Sequence, residues 1–243
     1  MLRTGNPALK ESTFRGLPRV VGAEAMTLQG TVNKTGISLL ILIASAAFSW
    51  NSAFAGPLMI LGLVGGLIAS LVVIFKNTTA PMVTPIYAAF EGLLLGGISR
   101  IFEQQYQGIV FNAVALTFGT LAVLLAAYSS GLIRPSENFR LGVVAATGGI
   151  AIMYLLSFVL GFFGVRMSFL HDSSPLSIGI SLVVVVVAAL NLVLDFDFIE
   201  RGVAHGAPKV MEWYAAFGLL VTLVWLYLEL LRLLAKLQGR SRD

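Results

Sequence analysis

Seven stretches of this sequence are apolar over roughly 18 residues or more, and this feature constrains the fold more than any other. A continuous apolar run of that length can cross the ~30 Å hydrocarbon core of a bilayer as an α-helix. Inside lipid, only helices and closed barrels satisfy every backbone N–H and C=O group. A barrel would show short segments of alternating hydrophobicity, whereas these runs are continuous. The sequence therefore predicts an all-α integral membrane protein with seven transmembrane helices.

The predicted chain has one membrane domain, residues 35–237, between a polar cytoplasmic N-terminal segment, residues 1–34, and a short basic tail, residues 238–243. The N-terminal segment lacks the apolar stretch that follows the basic start of a signal peptide. The predicted transmembrane helices occupy residues 36–55, 57–75, 82–101, 110–131, 139–164, 177–199 and 213–235.

Composition excludes several classes of function. Charged residues make up only 12% of the chain, too few to cover the surface of a soluble domain. The chain has no cysteine, and its two histidines lie far apart, so no zinc site, disulfide or other cofactor is expected. No phosphate-binding loop or nucleophile elbow occurs, which argues against an enzyme. No basic patch with interleaved aromatic residues occurs, so nucleic acid is not an expected partner, whereas membrane lipid is.

The distribution of Lys and Arg orients the helices, because cytoplasmic loops carry an excess of both. A cytoplasmic N-terminus in the cell (inner) membrane leaves only Arg100 and Arg166 in the outside loops. Four C-terminal basic residues conflict with this orientation, since a full crossing by the seventh segment places them outside: Arg232, Lys236, Arg240 and Arg242. A full crossing is the favoured interpretation, and a seventh segment that dips into the membrane and returns is the alternative. The basic residues that fall inside, apart from those of residues 1–34, are Lys76, Arg134, Arg140, Arg201 and Lys209.

Four carboxylates lie inside the predicted helices, where each costs about 2.5–3.5 kcal/mol at the helix centre. Such groups usually face the protein interior and often mark an ion or proton path. We therefore take the acids and one neighbouring amide as candidate ion- or proton-sensing residues, with Asp195 and Glu91 as candidate transient cation ligands. The candidates are Asp195, Glu91, Glu229, Asn191 and Asp197.

Helical periodicity separates these acids. Asp195 shares one face with Ser181, Ala188 and Asn191, and this polar stripe is expected to point inward. Asp197 is turned about 200° away from Asp195, and we expect it to pair with Arg201 at the membrane interface. Structural roles stay open for all the acids, and Arg232 lies three residues beyond Glu229, where it could neutralise that carboxylate.

Small residues recur at a spacing of four in several helices, and such ridges let helices approach closely in lipid. Packing within one subunit is the favoured interpretation, and homodimerisation through one ridge is the alternative. The pairs are Gly62 with Gly66, Gly92 with Gly96, Ala115 with Gly119, and Ala145 with Gly149.

Three segments carry a family resemblance: AAFEGLLLG at 88–96, NLVLDFDFIE at 191–200, and EWYAAFGLLVTLVWLYLELLRLLAKL at 212–237. Together they resemble the Bax inhibitor-1 family in its bacterial branch, over essentially the whole chain. The resemblance implies six helices wrapping a central seventh. It also implies a pH-regulated calcium leak channel, controlled by a pair of acids on the sixth and seventh helices.

The resemblance assigns the sixth-helix acid to Asp195. For the seventh helix, matching the pattern Leu-Tyr-Leu-acid selects Glu229, whereas matching from Glu212 at the helix start places Leu223 there, with no acid. A different class of function is implied by other bacterial relatives, namely a non-conducting modulator of membrane-protein quality control. Its partner would be a membrane-anchored ATP-dependent protease, contacted by residues 1–34.

Overall fold

The computed structural model describes residues 22–164, 167 and 172–240. Seven helices within them are long and apolar enough to span a membrane, as predicted. Apart from turns, two short 3-10 helices (Gly22–Glu24 and Asn77–Thr79) and one isolated β-bridge, the described backbone is α-helical. The seven helices are α1 Leu28–Asn51, α2 Ala55–Phe75, α3 Ala80–Gln105, α4 Ile109–Ser129, α5 Glu137–Phe162, α6 Pro175–Ala204 and α7 Met211–Arg240.

Several helices extend beyond the apolar runs from which they were predicted, whereas α1, α4 and α5 end before the predicted residues 55, 131 and 164. α1 begins at Leu28, inside the polar N-terminal segment, because Thr27 caps it by accepting a hydrogen bond from the Gly30 N–H at 2.9 Å. α6 and α7 likewise continue to Ala204 and Arg240. An apolar run marks the part of a helix that lies in hydrocarbon, whereas the helix itself ends where its caps allow.

The chain divides into two compact units. The first unit comprises residues 22–105 and 195–221 of the described chain, and so contains α1, α2, α3, the end of α6 and the start of α7. The second unit comprises described residues from 106–194 and 222–240, which include α4, α5 and the remainder of α6 and α7.

Glycines let α3 pack against its two neighbours in the first unit. A Cβ at Gly62 of α2 would lie 2.5 Å from the Phe90 carbonyl oxygen of α3. A Cβ at Gly96 of α3 would overlap the Ala46 carbonyl group of α1. Real Cβ atoms do not approach other atoms so closely, so these contacts require glycine. The small-residue ridges of α2 and α3 are therefore packing surfaces within one chain, as predicted.

The ridges of α4 and α5 behave differently. Ala115 and Gly119 of α4 are exposed, as are Ala145 and Gly149 of α5. A Cβ added at Gly119 or Gly149 would have no atom of the described residues within 4 Å. For these two ridges the prediction of packing within the subunit is wrong, because the spacing of small residues shows only that a helix can be approached closely.

α7 is the most buried of the seven spanning helices. Within its most apolar 18-residue window 67% of the residues are buried, against 44% or less in the other six. The other helices expose large apolar side chains, among them Phe48, Phe75 and Phe111, which suit contact with lipid tails. The arrangement of six helices around a central seventh stays a prediction from the family resemblance.

A leucine introduced at two glycines separates close packing from open surface. Gly96→Leu should lower the free energy of unfolding by about 3 kcal/mol, because the new side chain overpacks against the α1 backbone. Gly119→Leu, the matched control, should change it by less than about 0.5 kcal/mol. Thermal unfolding in detergent measures both, and equal stabilities would contradict the close α1–α3 contact.

Candidate functional site

Asp195 lies on the inward face of α6. Its side chain is 0% exposed, and the other members of the predicted polar stripe, Ser181, Ala188 and Asn191, are also buried. The stripe therefore points into the protein, as its 3.6-residue periodicity predicts. Ionising a carboxyl in such an enclosed position is costly, so Asp195 is the kind of intramembrane acid that usually serves a function.

Asn191, one turn before Asp195, holds α6 against α5. Its side-chain amide donates hydrogen bonds to the Thr147 hydroxyl of α5 and to the Val187 carbonyl of its own helix, both at 2.8 Å. Both bonds lie within the second unit. The amide group is thus fixed in orientation, which accounts structurally for a buried polar residue on this stripe.

Asp197 forms the predicted ion pair with Arg201 of the same helix. The Arg201 Nε lies 3.1 Å from a carboxylate oxygen of Asp197, with one helical turn between the two residues. Asp197 is turned away from the buried stripe, and Arg201 of the same helix balances its charge.

Glu229 is almost fully enclosed in α7, at 2% exposure, and its carboxylate has two partners in the second unit. Arg232 forms the ion pair expected from the sequence, at 3.0 Å, and the Tyr154 hydroxyl of α5 donates to the carboxylate at 3.0–3.1 Å. The Arg232 guanidinium also lies 5.3 Å from the centre of the Tyr154 ring. Glu229 is therefore a charge-compensated acid that ties α7 to α5.

Glu91 lies between α3 and α2 in the first unit and is half-buried. A Cβ at Gly66 of α2 would lie 3.1 Å from its carboxylate, so that glycine makes room for the acid. Tyr87 lies one turn earlier on the same face of α3. Tyr87 in turn packs edge-on against Phe217 of α7, with ring centres 4.9 Å apart.

Lys236 lies one residue beyond the predicted seventh helix, yet its side chain is buried. Its ammonium group donates to the Ser181 hydroxyl of α6 at 2.7 Å. The difference arises because α7 runs to Arg240, which keeps Lys236 on the helical face of Glu229 and Arg232. Extending the stripe of Glu229 by steps of three and four residues would have identified this position.

A further buried acid, Glu212 in the first turn of α7, was missed. Its side chain is 0% exposed and forms an ion pair with Lys34 of α1. The Thr27 N–H and hydroxyl donate to the same carboxylate at 3.0 and 2.9 Å. The sequence offered one signal, an acid at a predicted helix start, where the helix dipole favours negative charge. Its partners are distant in the chain, since Lys34 lies 178 residues away and Thr27 lies 185 residues away.

The described residues contain no group of three or more His, Cys, Asp or Glu side chains that could hold a metal ion.

Seven apolar spanning helices, with enclosed carboxylates on two of them, α6 and α7, define a multi-pass α-helical membrane protein with ionisable groups inside its spans. A family model described as Bax inhibitor 1 like matches residues 6–239, nearly the whole chain. The chain therefore belongs to the Bax inhibitor 1 like family, which confirms the resemblance inferred from the sequence. No curated protein matches the chain significantly.

The ion pair of Glu229 predicts that removing Arg232 alone costs more stability than removing both partners. Arg232→Leu should destabilise the protein by about 2 kcal/mol, less than the 3–5 kcal/mol of a fully buried pair. The discount reflects the 48% exposure of the Arg232 side chain. The double variant Glu229→Leu/Arg232→Leu should recover most of this loss, because it leaves no uncompensated carboxylate. Thermal unfolding measures both, and a double variant no more stable than Arg232→Leu would contradict the compensating role.

Proposed function

We propose that this protein is a pH-regulated cation leak channel in which Asp195 is the principal sensing residue and calcium is the conducted ion. The observation that carries the proposal is the complete enclosure of the Asp195 carboxylate within a membrane-spanning helix. Position adds support, because Asp195 stands where the family resemblance expects the sixth-helix acid. We place the channel in the cell inner membrane with a cytoplasmic N-terminus, from the distribution of Lys and Arg.

The chemistry follows from what a carboxylate does in a low-dielectric environment. When ionised, it attracts a cation more strongly than it would in water, and its oxygens are the ligands that a hard cation such as Ca²⁺ prefers. When protonated, it loses the charge and much of its capacity as a ligand. One titrating group can therefore couple cation passage to pH.

The other acids take different parts in this proposal. Asp197, Glu212 and Glu229 each lie in an ion pair with a base, which suits a structural role. Glu91 is the second sensing candidate, because its carboxylate lies against the α2 backbone at Gly66.

Asparagine at position 195 tests the proposal. Asp195→Asn preserves the shape of the side chain and removes its titration, so calcium entry into proteoliposomes should lose its dependence on pH between about pH 5 and pH 8. Asp197→Asn is the matched control two residues away, and it should retain the wild-type pH profile because its ion pair lies on another face. A flat profile for Asp197→Asn alone would reverse this assignment, and two wild-type profiles would reject the sensing role of Asp195.

A truncation separates conduction from the modulation of a protease. Removing residues 2–21 should leave calcium flux intact, because the spanning helices and Thr27 remain. The deletion must end before Gly22, since Thr27 and Gly30 contact the buried carboxylate of Glu212. Flux through the truncated, purified protein is the measurement. Absence of flux in both the full-length and the truncated protein, with unchanged thermal stability, would favour the non-conducting protease modulator instead.

A further inference from the structure

The chain just before α1 is paired with the turn that joins α6 to α7. We call residues 22–27 the strap and residues 205–210 the turn. The Met26 N–H donates to the Ala207 carbonyl at 2.7 Å, and the Lys209 N–H donates to the Glu24 carbonyl at 2.8 Å. Between these bonds Ala25 and Pro208 form an antiparallel β-bridge. The strap is thus bonded, through its backbone, to a distant segment of the first unit.

The carboxylate of Glu212, which follows the turn directly, stabilises this contact through hydrogen bonds and an ion pair. It accepts hydrogen bonds from the N–H and the hydroxyl of Thr27, at the end of the strap. It also forms an ion pair with Lys34 of α1. Thr27 is the N-cap of α1 and Glu212 lies in the first turn of α7, so the positive ends of two helix dipoles meet one negative charge. Few positions in a helical protein hold a carboxylate so firmly.

Gly30 shows how closely the carboxylate is seated on α1. A Cβ at this position would overlap the carboxylate atoms of Glu212, so even alanine would displace the acid from its donors. Gly36, farther along the same helix, has nothing within 4 Å of an added Cβ. Of these two glycines of α1, Gly30 therefore lies against the Glu212 carboxylate, whereas Gly36 lies away from it.

We propose that the strap is a releasable latch on the turn, and that its release permits the adjoining ends of α6 and α7 to move. The bonded groups are the Ala207 carbonyl, the Lys209 N–H and the Glu212 carboxylate, which occupy the turn and the helix start that follows it. Any change in the shape of the turn must break several of these bonds together. A latch built this way has two states, engaged and released, rather than a range of intermediate positions.

The consequence for conduction rests on the proposed function. The C-terminal end of α6 carries Asp195 and the Asp197–Arg201 ion pair. Movement of this helix end would therefore alter the surroundings of Asp195, the proposed sensing acid. Conduction then belongs to the released state, and the engaged latch holds the channel closed.

A disulfide can lock the latch. The two backbone bonds flank Ala25 and Pro208, which makes them a non-hydrogen-bonded antiparallel pair, the arrangement in which facing side chains lie closest. The chain has no other cysteine, so oxidation of the variant Ala25→Cys/Pro208→Cys can form only this intramolecular bond. In proteoliposomes, oxidation should reduce calcium flux to the level of protein-free liposomes, and a reductant should restore it.

Release is tested with variants that weaken the contact. Gly30→Ala should increase flux by up to about tenfold, if the released state is a minor population of about 10%. Lys34→Gln weakens the same contact without adding volume and should act in the same direction. Gly36→Ala is the matched control and should conduct like the wild type. Hydrogen exchange of the backbone amides at 205–213 gives a readout independent of conduction, and it should be faster in Gly30→Ala than in Gly36→Ala.

The outcomes separate the latch from the channel. Wild-type protein that conducts, together with an oxidised variant that conducts equally well, would overturn the latch and leave a permanent structural contact. Wild-type protein that conducts nothing would overturn the proposed function alone, and hydrogen exchange would then decide. Equal exchange in Gly30→Ala and Gly36→Ala, or a cysteine pair that does not oxidise, would overturn the latch in either case.

Discussion

Negative charge inside the membrane-spanning helices must be compensated, and much of the internal bonding of this protein follows from that requirement. Lipid offers no water to solvate a carboxylate, so each acid needs donors or a base from its own chain. Glu229 obtains them from α5 and its own helix, and Glu212 obtains them from α1 and the strap. These bonds join segments that are distant in the chain, and so the acids help to fix which helices are neighbours within each unit.

The sequence predicted what depends on local spacing. The seven spans follow from apolar length, the inward stripe of Asp195 follows from helical periodicity, and the partners Arg201 and Arg232 follow from spacings of four and three residues. Long-range partners were not predictable in this way. Tyr154 lies 75 residues from Glu229, and Lys34 lies 178 residues from Glu212, so no pattern within one helix indicates either contact. Spacing also did not predict which glycines pack against another helix. Gly96 and Gly119 occur in similar ridges, yet of the two only Gly96 lies against the backbone of another helix.

Membership of the Bax inhibitor 1 like family and the placement of the acids lead to one physical picture. The ion-paired acids help to hold the helices together, and in the proposed function Asp195 and Glu91 are the acids whose protonation would change the charge inside the protein. The strap adds a mechanical element, because the turn that follows α6 is bonded to the chain before α1. In this picture, conduction depends on both the charge state of a buried acid and the release of a backbone contact.

Ion flux through purified wild-type protein in liposomes tests the central claim most directly. Calcium and potassium entry should be compared at about pH 5 and about pH 8, a range over which a buried carboxyl can titrate. A pH-regulated calcium leak predicts calcium entry above that of protein-free liposomes, faster at one pH than at the other, and exceeding potassium entry. Calcium entry that equals the protein-free background at both pH values would contradict the account.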